Sequence, residues 1–255
     1  MRVLVCIKRV PMVGSRISLT PDALAVDTRQ LGFTISPHEE CAVEEAMRIV
    51  EAHGGEVTVI TLGPPESVEQ LRDAAALGAA KLVHLVTDGG EWDPVATADV
   101  LAFATRELEA EGGAFHLVLL GNEAPDTGDY QVGVRLAYAL ARPCVNAVKA
   151  LEVGDGVVRA RREFAGGDEL FVLALPAVIA VKEGINLPRY PSLPGRIRAK
   201  KLTVDERLLA SRKSAVRVER LRTPAVERAR AEMLGTGVDA VPALVSLLER
   251  LGVLS

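Results

Sequence analysis

Cysteine is scarce in this 255-residue chain, and the three present, Cys6, Cys41 and Cys144, stand far apart. No CxxC spacing occurs, so neither a zinc cluster nor a disulfide framework is expected. Cys6 and Cys144, in or beside apolar runs, read as reduced structural thiols. Positive charge is not in excess: 30 Lys and Arg against 34 Asp and Glu leave a net charge of −4. That balance lacks the global field that holds a phosphate backbone, and nucleic acid is not an expected partner. No apolar run approaches the roughly 20 residues of a membrane span. The opening MRVLVCIKRV has strand character without a charged leader and small-residue cleavage site, so a cytoplasmic protein that is not membrane-embedded is expected. Nucleotide fingerprints are missing as well, with no GxGxxG and no Walker GxxxxGK followed by Ser or Thr. No nucleophile–base pair, carboxylate dyad or metal-ligand cluster stands out, which points to a carrier or binding subunit without bond-making catalysis.

What the chain has in quantity is hydrophobic residue, 49% of the total, enough to bury a core in one domain or one domain plus an appendage. Strand patterns fall at Arg2 to Val10, Glu56 to Leu62, Phe115 to Leu120 and Ala177 to Lys182. Between them lie helical patterns at Pro37 to His53, Glu66 to Leu77, Pro94 to Glu111 and Asp129 to Leu140. In the first helix Cys41, Ala42, Ala46, Ile49 and Val50 form one stripe, and Glu39, Glu40, Glu44, Glu45 and Arg48 mainly cover the rest. Short strands alternating with helices predict an α/β fold: a mainly parallel sheet flanked by helices on both faces. An antiparallel hairpin extension is expected from Leu151 to Arg161 and Glu169 to Leu175, followed after Lys201 by charged segments. Thr223 to Thr236 reads as a tether, with a final helix from Val238 to Leu251.

Open parallel sheets bind ligands beyond the carboxyl ends of their strands. Three loops are therefore candidates. The first, Gly121 to Gly133, carries Asp126, Thr127, Asp129, Tyr130 and Gln131 just before a helix, where backbone N–H groups can meet a phosphate. The same residues also suit a plain turn with Asp126 or Asp129 as N-cap. The second follows Thr61 and Leu62 as Gly63-Pro64-Pro65, and the third is Ser36 to Glu39 with His38.

A different kind of segment runs from Gly184 to Lys201, GINLPRYPSLPGRIRAKK, with three prolines and no acid. Prolines fix φ and bias the preceding residue away from helix, so an extended, projecting loop is expected. Leu187, Tyr190, Leu193 and Ile197 on such a loop offer apolar anchors, with Arg189, Arg196, Arg198, Lys200 and Lys201 as a basic rim. A rigid connector folding back on its own domain is the other reading.

Six blocks occur in an order that resembles the beta subunit of electron transfer flavoprotein: RVLVCIKRV, CAVEEAMRI, LGPPESVEQLRDAAALGAAK, LVLLG with the Asp126 to Gly133 loop, ALPAVIAV, and NLPRYPSLPGRIRAKK. The AVEEA helix and the PRYPSLP segment are the most specific. The resemblance implies a heterodimer with an alpha subunit, carrying electrons from acyl-CoA-type and other flavoprotein dehydrogenases to a quinone-linked oxidoreductase, as in fatty acid beta-oxidation. It implies one FAD held mainly by alpha and an AMP with a structural role in beta, in a fold like that of adenine-nucleotide hydrolases. By position, the AMP residues are Cys6, then Ser36, Pro37, His38 and Glu39, then Leu62. The nucleotide loop continues them with Asp126, Thr127, Gly128, Asp129, Tyr130 and Gln131, and its helix with Val132, Gly133, Val134, Arg135, Leu136 and Ala137. His38 and Ala180 fall near the flavin. Arg189, Tyr190, Leu193 and Arg198 fall in the family's partner-recognition loop, with Leu193 as the anchor. Residues 1–222 would form the nucleotide-binding domain, and 223–255 a tether and helix reaching alpha.

Two departures stand out. Ala165 and Phe171 occupy positions where the family carries an acid and an aliphatic residue. Gln131-Val132-Gly133 resembles electron-bifurcating members, whose beta subunit holds a second FAD in place of AMP. A universal-stress-type nucleotide sensor shares the sheet but carries a phosphate loop richer in Gly and Ser than DTGDYQVG. A hydrolase of the related superfamily needs an SGGxDS-like loop, which Val10 to Ser15 does not provide.

Overall fold

The N-terminal apolar run breaks at Lys8 into two strands, β1 (Arg2–Ile7) and β2 (Arg9–Pro11). In this computed structural model, which describes residues 1–254 other than Val13, Ser15, Arg16, Glu91, 210–215 and 225–231, the Lys8 N–H donates to Glu39 Oε2 at 3.0 Å. Strand β2 turns away to pair antiparallel with β3 (Phe33–Ile35). Half of the expected tether from Thr223 to Thr236 falls outside the described residues, as does part of the Val10 to Ser15 segment.

Helix α1 (Pro37–His53) starts at Ser36 in a capping box: Ser36 Oγ accepts from the Glu39 N–H, and the Glu39 carboxylate accepts from the Ser36 N–H. The chain continues through β4 (Glu56–Gly63), a 3-10 turn and α2 (Val68–Leu77), β5 (Lys81–Val86), α3 (Pro94–Gly112) and β6 (Leu117–Gly121). Helix α4 (Val132–Leu140) and β7 (Cys144–Val148) follow, then β8 (Ala150–Gly154), β9 (Val157–Phe164), β10 (Gly167–Ala174) and β11 (Ala177–Val181). The last elements of this unit are α5 (Leu193–Lys201) and β12 (Val204–Leu208).

Seven strands form one sheet in the order β12-β5-β4-β1-β6-β11-β7, parallel at every pairing. The period-2 alternation of β1 sorts its side chains between two cores. Val3, Val5 and Ile7 join residues of α1, α2 and α5, while Leu4 and Cys6 join residues of α3 and α4. Helices thus cover both faces, as the alternating pattern predicts. The antiparallel hairpin forms a sheet of its own, β10-β9-β8, with Val158 and Ala160 buried in the first core.

Several boundaries differ from the sequence reading. Strands β5, β7 and β12 were not legible: β5 carries His84, β7 carries Asn146, and β12 is a polar edge strand. Helix α4 begins at Val132, three residues later than expected, because Gly128 at φ +60° and Tyr130 at φ +56° are left-handed. The second half of the expected extended loop is helix α5, since Ser192 Oγ accepts from the Gly195 N–H and Pro194 tolerates a first-turn position. Glu39, Glu44 and Glu45 do not cover a solvated face of α1. They are buried, each with hydrogen-bond partners.

Residues Met1–Glu219 form one compact unit and Arg220–Ser255 a second. In the second, a 3-10 turn (Gly237–Ala240) leads into α6 (Val241–Arg250), which carries Val241, Leu244, Val245 and Leu248 on one helical face. Among the described residues no helix is long and apolar enough to cross a membrane.

Candidate functional site

From β1 the chain proceeds to β4 and β5 on one side, then returns with β6 on the other. Strand order therefore reverses at β1, and the carboxyl ends of β1, β4 and β6 bound the expected ligand crevice. Cys6 pairs in register with Ile60 on one side and Leu120 on the other. Burial, reinforced by nearby Glu39, pushes its thiol up to about 12, so it stays protonated and acts as wall.

The first turn of α1 sits directly on the end of β6. A Cβ at Gly121 would lie 2.8 Å from Glu39 Cγ and 3.1 Å from His38 Cβ, so only glycine permits this approach. His38 joins two loops: its Nδ1 accepts the Glu183 N–H at 2.8 Å, and its Nε2 lies 3.3 Å from Glu123 Oε1. Because Nδ1 accepts, a neutral ring carries its proton on Nε2, directed at Glu123. Lys8 Nζ pairs with Asp126 at 2.7 Å and ties the β1–β2 bend to the loop after β6. Burial raises the Glu39 carboxyl to about 7, against hydrogen bonds from Lys8 and Ser36 that favour the anion.

Helix α4 opens into this crevice without a side-chain cap. Its N-cap residue is Gln131, whose Oε1 instead accepts from Arg135 Nε at 3.0 Å and Nη2 at 2.8 Å. The backbone N–H groups of Val132, Gly133 and Val134, in the first turn, are thus available to an anion. Neither Asp126 nor Asp129 caps the helix. Asp126 Oδ1 accepts the Thr127 N–H at 2.9 Å.

The structure divides the expected ligand residues into two groups. Cys6, Ser36, Glu39, Gly133, Leu136, Ala137 and Ala180 are buried; Asp126, Thr127, Gly128, Asp129, Tyr130, Gln131, Val134 and Arg135 are exposed. Pro37, His38, Leu62 and Val132 lie between these extremes. Ala180 is packed in the second core with Leu120 and Leu136.

The sequence matches a known family. A family model described as Electron transfer flavoprotein domain matches residues 23–211. The electron transfer flavoprotein subunit beta of Bradyrhizobium diazoefficiens is 34% identical over 256 residues, covering 98% of each chain. The chain belongs to the electron transfer flavoprotein beta-subunit family. Thermoanaerobacterium thermosaccharolyticum has a relative named electron transfer flavoprotein subunit beta, 32% identical over 97% of this chain and 98% of its own length. That of Bacillus subtilis is 38% identical over 68% of this chain and 66% of its own. Membership in the electron transfer flavoprotein family assigns this chain to electron transfer.

The Gly184 to Lys201 segment runs along the flank of α1, where Asn186 and Arg189 bond to it. Tyr190 and Leu193 are 96% and 72% exposed. Arg189 is engaged with Glu44 and Glu51, and Arg198 Nη2 donates to the Ala75 carbonyl at 3.0 Å. Three further residues organise the crevice and were not singled out from sequence: Lys8, Glu123 and Asn122, whose Oδ1 accepts the Ala147 N–H at 2.9 Å. The useful signal was position, because Asn122 and Glu123 directly follow the β6 carboxyl end.

Proposed function

We propose that this chain is the beta subunit of a heterodimeric electron transfer flavoprotein. It pairs with an alpha subunit, accepts electrons from acyl-CoA-type and other flavoprotein dehydrogenases, and passes them to a quinone-linked oxidoreductase. Its crevice holds AMP in a structural role. The supporting observation is the uncapped first turn of α4 beside the Asp126 to Gln131 loop, at the point where strand order reverses. There the N–H groups of Val132, Gly133 and Val134 receive the phosphate, Arg135 adds positive charge, and Cys6, Ser36 to Glu39 and Leu62 form the adenosine wall.

FAD, held mainly by alpha, supplies the redox chemistry when bound. This chain contributes part of the wall through His38, held by Glu123 and the Glu183 N–H, with Ala180 at the end of β11. Electrons pass without a bond being made by any side chain here. The 184–201 segment meets the dehydrogenase through Leu193 and Tyr190, and residues 223–255 reach alpha. A second reading follows from Gln131-Val132-Gly133, which suits a second FAD in the AMP position and a bifurcating carrier.

The deciding measurement is extraction and mass spectrometry of the small molecules in the purified heterodimer. One FAD and one AMP per heterodimer are expected. Two FAD would replace the AMP assignment with the second reading, and a flavin-free monomer without nucleotide would overturn both. Stripping AMP should also lower the heterodimer's unfolding midpoint, since a ligand at a hundredfold its Kd stabilises by about 3 kcal/mol. Equal midpoints would contradict a ligand-supported interface.

A further inference from the structure

The loop leading into α5 is fastened to α1 by two residues three positions apart. Asn186 Nδ2 donates to the Cys41 carbonyl at 3.0 Å and to Glu45 Oε2 at 2.8 Å. Arg189 reaches Glu44 through its backbone N–H at 3.2 Å, Nε at 2.8 Å and Nη2 at 3.0 Å. The same guanidinium holds Glu51 at 2.6 and 3.0 Å, and Arg48 Nε supports Glu44 from the helix at 3.0 Å. The Glu44 side chain is only 3% exposed, so its carboxylate is part of the wall against which the guanidinium lies.

This arrangement buries the Glu44 carboxylate where apolar packing would stabilise as well or better, which is weak design for stability alone. What it supplies is orientation, because a forked guanidinium held by two carboxylates has one geometry. The residues between and after the fastened points are apolar and exposed: Leu187 at 84%, Tyr190 and Leu193. Pro188, Pro191 and Pro194 stiffen the intervening backbone. Downstream, Arg72 Nη1 donates to the Ala199 carbonyl at 2.7 Å, which seats α5 beside α2.

We propose that Glu44, Glu45 and Glu51 with Asn186 and Arg189 form a clamp that pre-orders Leu187, Tyr190 and Leu193 for docking of the electron donor. Arg189 and Asn186 are positioning residues, and Arg189 does not itself contact the donor. The inference rests on the reading that Leu193 docks. A loop already ordered in the free protein loses less conformational entropy on association, so releasing the clamp weakens docking without altering the docking groups.

The test uses the complete heterodimer and an acyl-CoA dehydrogenase reduced with octanoyl-CoA. Arg189→Ala is expected to speed amide exchange in residues 184–192 and to raise the KM for the heterodimer about tenfold, with kcat, flavin content and nucleotide content unchanged. Arg189→Lys, which keeps the charge but loses the fork, should fall between wild type and Arg189→Ala. Unchanged exchange would overturn the clamp, and faster exchange with an unchanged KM would overturn its role in docking. A fall in kcat or flavin content at constant KM would mark a merely structural residue and overturn the proposal. Leu193→Ala separates the two layers: it should raise KM without changing exchange. An unchanged KM there would overturn the docking reading itself, whatever Arg189→Ala does.

Discussion

The first turn and the middle of α1 treat carboxylates in opposite ways. At its first turn, Glu39 lies under the crevice with only hydrogen bonds from Lys8 and Ser36, and burial raises its carboxyl to about 7. Farther along, burial also pushes the Glu44 carboxyl up, but Arg189 and Arg48 together outweigh it and hold Glu44 below the usual carboxylate range. The Lys8 ammonium is paired with Asp126 and adds only the weakest of the attractions that favour the Glu39 anion. A buried carboxylate is governed by whether a cation is committed to it, more than by its depth. One helix thus serves a neutral-leaning wall at its start and a charged clamp along its flank.

The largest expected effect tests the Glu39 side. Its folded value lies above its ordinary value of 4.5, so the folded protein holds the proton more tightly and stability falls as pH rises from about 4.5 to about 7. The total fall is on the order of 3 kcal/mol. Glu39→Gln should flatten that slope in urea titrations between pH 5 and 7. The same slope in the variant would mean another group titrates.

Close packing is the next test. A Cβ at Gly121 meets Glu39 and His38, and one at Gly195 would stand 2.4 Å from the Ala76 carbonyl oxygen. Gly121→Ala and Gly195→Ala should each cost about 2 kcal/mol. Only Gly121→Ala should also reduce nucleotide retention, as measured on the purified heterodimer. Equal retention in the two variants would erase the distinction between crevice and loop.

A smaller change is expected for Glu44→Gln, about 1 kcal/mol, because Arg189 is partly exposed and keeps Glu51. Its pH sign is opposite to that of Glu39. The contribution of Glu44 is present above the ordinary carboxylate value and fades as pH falls through its lowered folded value. A stability loss in Glu44→Gln that persists undiminished at pH 3 would break the contrast. The smallest effect is that of Tyr190→Ala, within about 0.5 kcal/mol in thermal unfolding, since the ring is almost wholly exposed.

Much of this was legible beforehand. Helix α1 reads from its helical pattern as Pro37 to His53, the bounds it has in the fold, because helical periodicity is local chemistry. The alternation of strands and helices predicted the layered α/β fold for the same reason. Strands β5 and β7 escaped because a histidine and an asparagine interrupt runs whose neighbours supply their burial. The crevice was placed by the carboxyl-edge rule and by family resemblance, yet the division of its residues into buried and exposed was not readable. Arg189 read as a rim charge, whereas the fold engages it with α1.

By itself the sequence determined where helices start, which residues alternate across the sheet, and that an apolar, proline-stiffened segment would be presented at the surface. These depend on neighbours within a few positions. Only the tertiary structure decided which glutamates of α1 are buried and which of them has a cation, because Arg189 and Glu44 are 145 positions apart and meet only once the sheet has closed. Charge is carried by a residue, but its solvation and its partner are properties of the fold.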